Sequence, residues 1–229
     1  MTGQHLVPIV SWFGRCSTTP THRRWRYPAI DLSTAVVFGL LAWHFGSSWQ
    51  LLPYLAAFAV LVVLGAFDLE AHLLLNILTR PLLGATLVAV LVLSTPNDWN
   101  DGITAALVGG LTYWLLIFVP HLVYPRGMGF GDVKLAPTLG LLVGWTTQSL
   151  SGAVVLAFWA FILGNLSGGL TGLALRAIKG GRVICDVPAW FDEDELEEDE
   201  VELFTTELPF GPFLILGALI AILASGQLA

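Results

Sequence analysis

Seven stretches of this chain are apolar with few interruptions: residues 29–46, 49–67, 76–94, 102–123, 133–147, 150–175 and 209–227. A helix needs about 20 such residues to cross the ~30 Å hydrocarbon layer of a bilayer, and every run but the fifth comes close to that length. The fifth is short and glycine-rich. Between the runs stand residues that favour turns, such as Gly46-Ser47-Ser48, Thr95-Pro96-Asn97-Asp98 and Thr146-Thr147-Gln148-Ser149. The pattern predicts an all-α polytopic membrane helix bundle of about seven transmembrane helices.

Composition agrees with that reading. Of 229 residues, 55% are hydrophobic and 12% charged, against about 25% charged in an ordinary soluble domain. Soluble, disordered, collagen-like and disulfide-scaffold classes are excluded. Cys16 and Cys185 are the only cysteines, so no disulfide framework is implied, and the N-terminus lacks the apolar core of a cleavable signal peptide. The net charge of −7 is misleading as a global figure, because eleven of the seventeen acids fall between Asp186 and Glu207. Basic residues set the orientation. With the N-terminus cytoplasmic, Arg15, Arg23, Arg24, Arg26, Arg80, Arg126, Lys134, Arg176, Lys179 and Arg182 all lie on the cytoplasmic side, and the opposite loops carry none. The expected chain is therefore a multi-pass membrane protein with its C-terminus outside. Nothing in the sequence points to nucleic acid.

Against this background two carboxylates stand out. Asp68 ends the second run and Asp132 opens the fifth, so the topology places both at cytoplasmic ends of spans. Ionisable groups there are costly unless paired or hydrated, which makes them functional candidates. Each has an ordinary explanation as a water-boundary residue, and Asp132 also as the cap of a helix beginning at Val133. The glycines shift the balance. Gly127, Gly129 and Gly131 alternate before Asp132, and a segment so poor in side chains can lie extended and pair with an extended substrate. Two carboxylates sharing one site cannot both ionise easily, so one retains a proton. The ionised member then takes a proton from water while the other donates to a carbonyl oxygen, which amounts to peptide hydrolysis without a covalent intermediate. Neither a nucleophile elbow nor an H-E-x-x-H motif is present. No cofactor or metal is expected.

These residues resemble a known family, the type IV prepilin peptidases, which are GxGD-type intramembrane aspartyl proteases. Gly129-Phe130-Gly131-Asp132-Val133-Lys134-Leu135 is similar to the family's second catalytic segment, and Asp68 through Leu82, with Asn76, Thr79 and Pro81, is similar to the first. Leu208-Pro209-Phe210-Gly211-Pro212-Phe213-Leu214 is similar to the opening of its last helix. The resemblance implies that Asp68 and Asp132 are catalytic, with Gly129, Gly131, Lys134 and Asn76 in support. It implies prepilin or pseudopilin preproteins as partners, cleaved at the cytoplasmic face behind a short basic leader. On this reading 29–229 is the transmembrane peptidase domain, with an acidic cytoplasmic loop near 183–207, and 1–28 is a remnant-like N-terminal segment. Many members carry two Cys-x-x-Cys pairs and a second activity, N-methylation. Here Cys16 has Thr19 where a partner would stand, and His5 and His22 bring the ligands to three at most, short of a tetrahedral zinc site. The resemblance therefore implies cleavage without clear support for methylation.

Gly164, Gly168 and Gly172 form a small-residue ridge on the sixth span, suited to packing within the bundle. The acidic run from Asp192 to Glu202 reads as a solvated loop, or as an attractor for a basic leader. The rival readings are a proton-coupled transporter, whose acids belong near the bilayer midplane, and a non-catalytic secretion or pilus assembly protein.

Overall fold

A computed structural model of the chain describes residues 20–71, 76–94, 99–123, 129–178 and 210–225. Among these residues the structure is all helical: α1 (Pro20–Phe45), α2 (Leu51–Ala71), α3 (Asn76–Leu93), α4 (Trp99–Val123), α5 (Phe130–Thr147), α6 (Leu150–Ile178) and α7 (Gly211–Ser225). Each corresponds to one apolar run of the sequence. Three contain spans long and apolar enough to cross a membrane, Leu51–Leu69, Asp101–Val123 and Leu150–Leu173, while Ile30–Phe45, Leu78–Leu93 and Gly211–Ser225 are shorter apolar helices. The acidic run and residues 1–19 lie outside the described residues.

The helix ends differ from the apolar runs in three informative places. Helix α1 starts at Pro20, well before the apolar stretch, with proline at the first helical position, where its missing N–H costs nothing. Helix α2 continues to Ala71, so Asp68 lies inside its last turn rather than closing it. Helix α5 begins at Phe130, three residues ahead of Val133, which puts Asp132 in its first turn.

The short α5 is the central helix. Its side chains are buried almost continuously from Asp132 to Trp145, and it packs against α3, α4, α6 and α7. The closest seam is with α4. A Cβ added at Gly109 would meet the Gly140 carbonyl oxygen, and one added at Gly140 would meet the backbone of Gly109 and Gly110. Gly144 stands equally close to the backbone of Ala105 and Ala106. Backbones that touch gain dispersion contacts along the whole seam, the device by which membrane helices associate without a hydrophobic driving force. Helices α6 and α7 use the same device: Gly164 lies against Phe213 and Leu214, Gly168 against Phe213 and Phe210, and Gly217 against Ala160 and Gly164. The ridge on the sixth span thus includes an intramolecular seam.

The outer faces are apolar around a core that is itself largely apolar. Trp43 and Val123 are each 80% exposed on the flanks, whereas Asp68, Thr79, Thr86, Asp132 and Thr138 are buried. The end of the bundle away from the aspartates is pinned by the Tyr54 hydroxyl, which donates to the Leu142 carbonyl at 2.7 Å and lies 2.8 Å from the Thr146 hydroxyl. Its ring stacks on Trp145 at 5.5 Å. Up-and-down helices joined in sequence then bring the end of α2 and the starts of α3, α5 and α7 together at the opposite end.

Candidate active site

Asp68 is 4% exposed. Its Oδ2 accepts a hydrogen bond at 3.0 Å from the backbone N–H of Gly211, 143 residues away in sequence. The start of α7 explains why that donor is available. Amides in the first turn of a helix have no intrahelical acceptor. Here Phe213 N and Leu214 N both donate to the Phe210 carbonyl, and Pro212 has no N–H, so Gly211 presents the free donor. Gly65, one turn before Asp68, lets α7 lie close: a Cβ there would stand 3.8 Å from Pro212 Cα and 3.5 Å from Ile215 Cδ1. Hydrogen bonds to charged groups contribute about 1.5–3 kcal/mol, against about 0.3–1 kcal/mol for a helix-end dipole. The unfavourable C-terminal end of α2 and the favourable N-terminal end of α7 roughly offset each other, and the Gly211 bond adds a direct stabilisation of the Asp68 carboxylate.

Asp132 reaches the same end of the bundle on α5. Gly129, immediately before the helix, is extended (φ −61°, ψ 136°), and no side chain caps the helix. Asp132 is therefore not a cap. It is the third helical residue, its N–H donating to the Gly129 carbonyl at 3.1 Å. Its carboxylate leans back towards the glycine segment, with Oδ2 3.8 Å from where a Gly129 Cβ would stand. Asp132 is also 4% exposed, and its buried Oδ1 has no hydrogen-bond partner. Leaving a buried acceptor unsatisfied costs about 1–3 kcal/mol, more if it is charged. Asp68 and Asp132 lie close enough for the charge of each to act on the other, and Asp132 also acts on the buried Tyr113 hydroxyl. Tyr113 ties α4 to α7 through a long contact with the Leu214 carbonyl, 3.5 Å.

The supporting residues expected from the sequence stand at the starts of α3 and α5. Gly129 and Gly131 form the entry to α5. The Lys134 ammonium lies over the exposed Phe130 ring, 4.8 Å from its centroid. Asn76 opens α3, and its side chain lies outside the described set, as does that of His22. Among the described residues no group of three or more His, Cys, Asp or Glu could hold a metal ion; Cys16 and His5 lie outside them. Two groups at this site are not flagged by the charge pattern, Gly211 and Tyr113, and Thr79 is 2% exposed near the start of α3. Gly211 and Thr79 stand inside the quoted motifs without a role of their own, because one acts through its backbone and the other is an ordinary hydroxyl. An apolar groove of about 430 Å³, lined by Thr112, Leu115, Leu116, Val119, Pro120 and Phe161, opens between α4 and α6 and includes neither aspartate.

The type IV leader peptidase family model matches residues 55–169, which include both aspartates, and the bacterial peptidase A24 N-terminal domain matches residues 1–45. A prepilin leader peptidase/N-methyltransferase of Pseudomonas aeruginosa is 30% identical over 97% of this chain and 67% of its own length. Proteins of the same name from Neisseria gonorrhoeae (34% identical, over 76% of this chain and 59% of the relative) and Aeromonas hydrophila (30%, over 97% and 68%) are similar as well. The chain spans about two thirds of the length of the first of these relatives. No solved structure matches it. With two buried carboxylates inside the matched segment, on an all-helical bundle, this chain belongs to the type IV leader peptidase family.

Proposed function

We propose that the protein is a membrane aspartyl endopeptidase that removes the short basic leader from prepilin or pseudopilin preproteins, with Asp68 and Asp132 activating water at the cytoplasmic face of the inner membrane. The observation that carries this reading is the burial of two carboxylates, each 4% exposed, in helix-terminal turns of an apolar bundle. Such a pair is expensive to bury and suited to sharing a proton. Both lie in helix-terminal turns at one end of the bundle, unlike transporter acids near the midplane.

The extended backbone at Gly129 supports the reading from the substrate side. With no side chain in the way, a strand-like cleavage segment can lie beside Asp132, while the apolar helix that follows it in the preprotein stays in the lipid along the exposed apolar flanks. The proposal is confined to peptide cleavage. Its test is co-expression with a prepilin. Asp68→Ala and Asp132→Ala each abolish leader removal while the protein stays in the membrane at wild-type level; full processing by either variant refutes the pair.

A further inference from the structure

The two aspartates are held differently. Asp68 receives a direct hydrogen bond from the N–H of Gly211, at the positive end of α7. Asp132 has a buried oxygen with no partner. The N-terminal end of its own α5 favours its charge without a side-chain cap bond, and a dipole alone is weaker than a direct charge-assisted bond. Three ionisable groups, Tyr113, His121 and Lys134, stand on the neighbouring backbone, and His121 lies beside the same Phe130 ring as Lys134. The Tyr113 hydroxyl is directed to a carbonyl of α7, and the Lys134 ammonium lies over the Phe130 ring.

We infer that the pair is asymmetric by construction: Asp68 is the ionised member that takes a proton from water, Asp132 is the protonated member that donates to the substrate carbonyl, and the Gly211 amide is the positioning group that sets this order. The inference rests on the proteolytic reading of the site. Asp68 removes a proton as the water oxygen adds to the carbonyl carbon, and Asp132 gives its proton to the carbonyl oxygen, leaving a neutral gem-diol. In the second half Asp68 returns its proton to the amide nitrogen as the C–N bond breaks. Asp132 meanwhile recovers a proton from one diol hydroxyl. The products are a carboxylic acid and an amine, and both aspartates end as they began. The unpartnered Asp132 Oδ1 gains a partner when the substrate arrives.

The assignment can be read by chemistry that distinguishes the two forms of a carboxyl. An ionised carboxylate opens an epoxide, forming a C–O bond as the ring C–O bond breaks and the alkoxide takes a proton. A protonated carboxyl instead reacts with a diazoketone, protonating its carbon before the carboxylate displaces dinitrogen. Two prepilin leader-junction peptides, one with an epoxide and one with a diazoketone at the scissile position, are incubated with the full-length protein, and the ester is located by mass spectrometry. The expected result is epoxide ester on Asp68 and diazoketone ester on Asp132. Epoxide ester on Asp132, equal labelling of both, or no ester on either overturns the assignment. Failure of the proteolytic reading is a separate result, seen as full processing by Asp68→Ala. The role of Gly211 is tested in a semisynthetic protein whose Phe210–Gly211 amide is an ester, which replaces N–H by oxygen. The epoxide preference for Asp68 over Asp132 then falls about tenfold, the scale of one lost charge-assisted bond. An unchanged preference overturns the role of the amide.

Discussion

Burying Asp132 with an unpartnered oxygen lowers stability, and nothing in the packing of α5 requires an acid there. Asparagine is nearly isosteric and cannot donate an acidic proton. Asp132→Asn should therefore keep the thermal midpoint in detergent within the effect of about 1 kcal/mol, or raise it, while cleavage falls by about 10²–10⁴-fold, the usual contribution of a general acid or base. A thermal melt and a leader-cleavage assay on the same preparation separate the two effects; a large drop in the midpoint would make Asp132 a structural residue. The two aspartates were legible in the sequence because a charge inside an apolar pattern is conspicuous. Gly211 was not, although it stands in a recognisable motif, because its contribution is a backbone N–H whose direction depends on where α7 begins. The cap position that served as the ordinary explanation of Asp132 is taken by Gly129 for a related reason: the apolar run marks where burial begins, whereas the helix starts wherever the backbone first closes its hydrogen bonds.

Helices α4 and α5 place Asp132 relative to the rest of the bundle, and their seam tolerates no side chains at three positions. A Cβ at Gly140 would stand 2.7 Å from Gly110 Cα and from Tyr113 Cβ, and neither neighbour can move without displacing its whole helix. Gly140→Ala is therefore predicted to destabilise the protein by about 1–3 kcal/mol, the typical cost of overpacking, despite the better helix propensity of alanine. Gly84→Ala supplies the contrast, since a Cβ there meets nothing within 4 Å; it should be neutral or slightly stabilising. Thermal midpoints of the two variants in detergent decide the point, and equal midpoints would mean the seam is not rigid. The fifth apolar run was short for the same reason that its glycines are indispensable. Surrounded by α3, α4, α6 and α7, α5 meets protein where an outer helix meets lipid, so its sequence answers to its neighbours and less to the thickness of the membrane.

Across the whole molecule the two ends divide the work. One end carries the aromatic and hydroxyl contacts around Tyr54, Trp145 and Thr146, and the other carries the aspartates together with the helix starts that hold them. Among the described residues Arg80, Lys134 and Arg176 follow the same division, lying on α3, α5 and α6 near the aspartate end. Basic residues are retained on the cytoplasmic side during insertion, so the aspartate end should face the cytoplasm, where a leader still attached to its preprotein is accessible. Single cysteines introduced into a variant with Cys16 and Cys185 replaced by serine give a direct test. A cysteine at Ser47 or Gln148 should react with a membrane-impermeant maleimide added to spheroplasts, and one at Arg23 or Lys179 only after lysis. The reverse pattern would put the pair on the wrong side for a cytoplasmic leader. It would leave the geometry of Asp68, Asp132 and Gly211 intact and require a substrate that reaches them from outside.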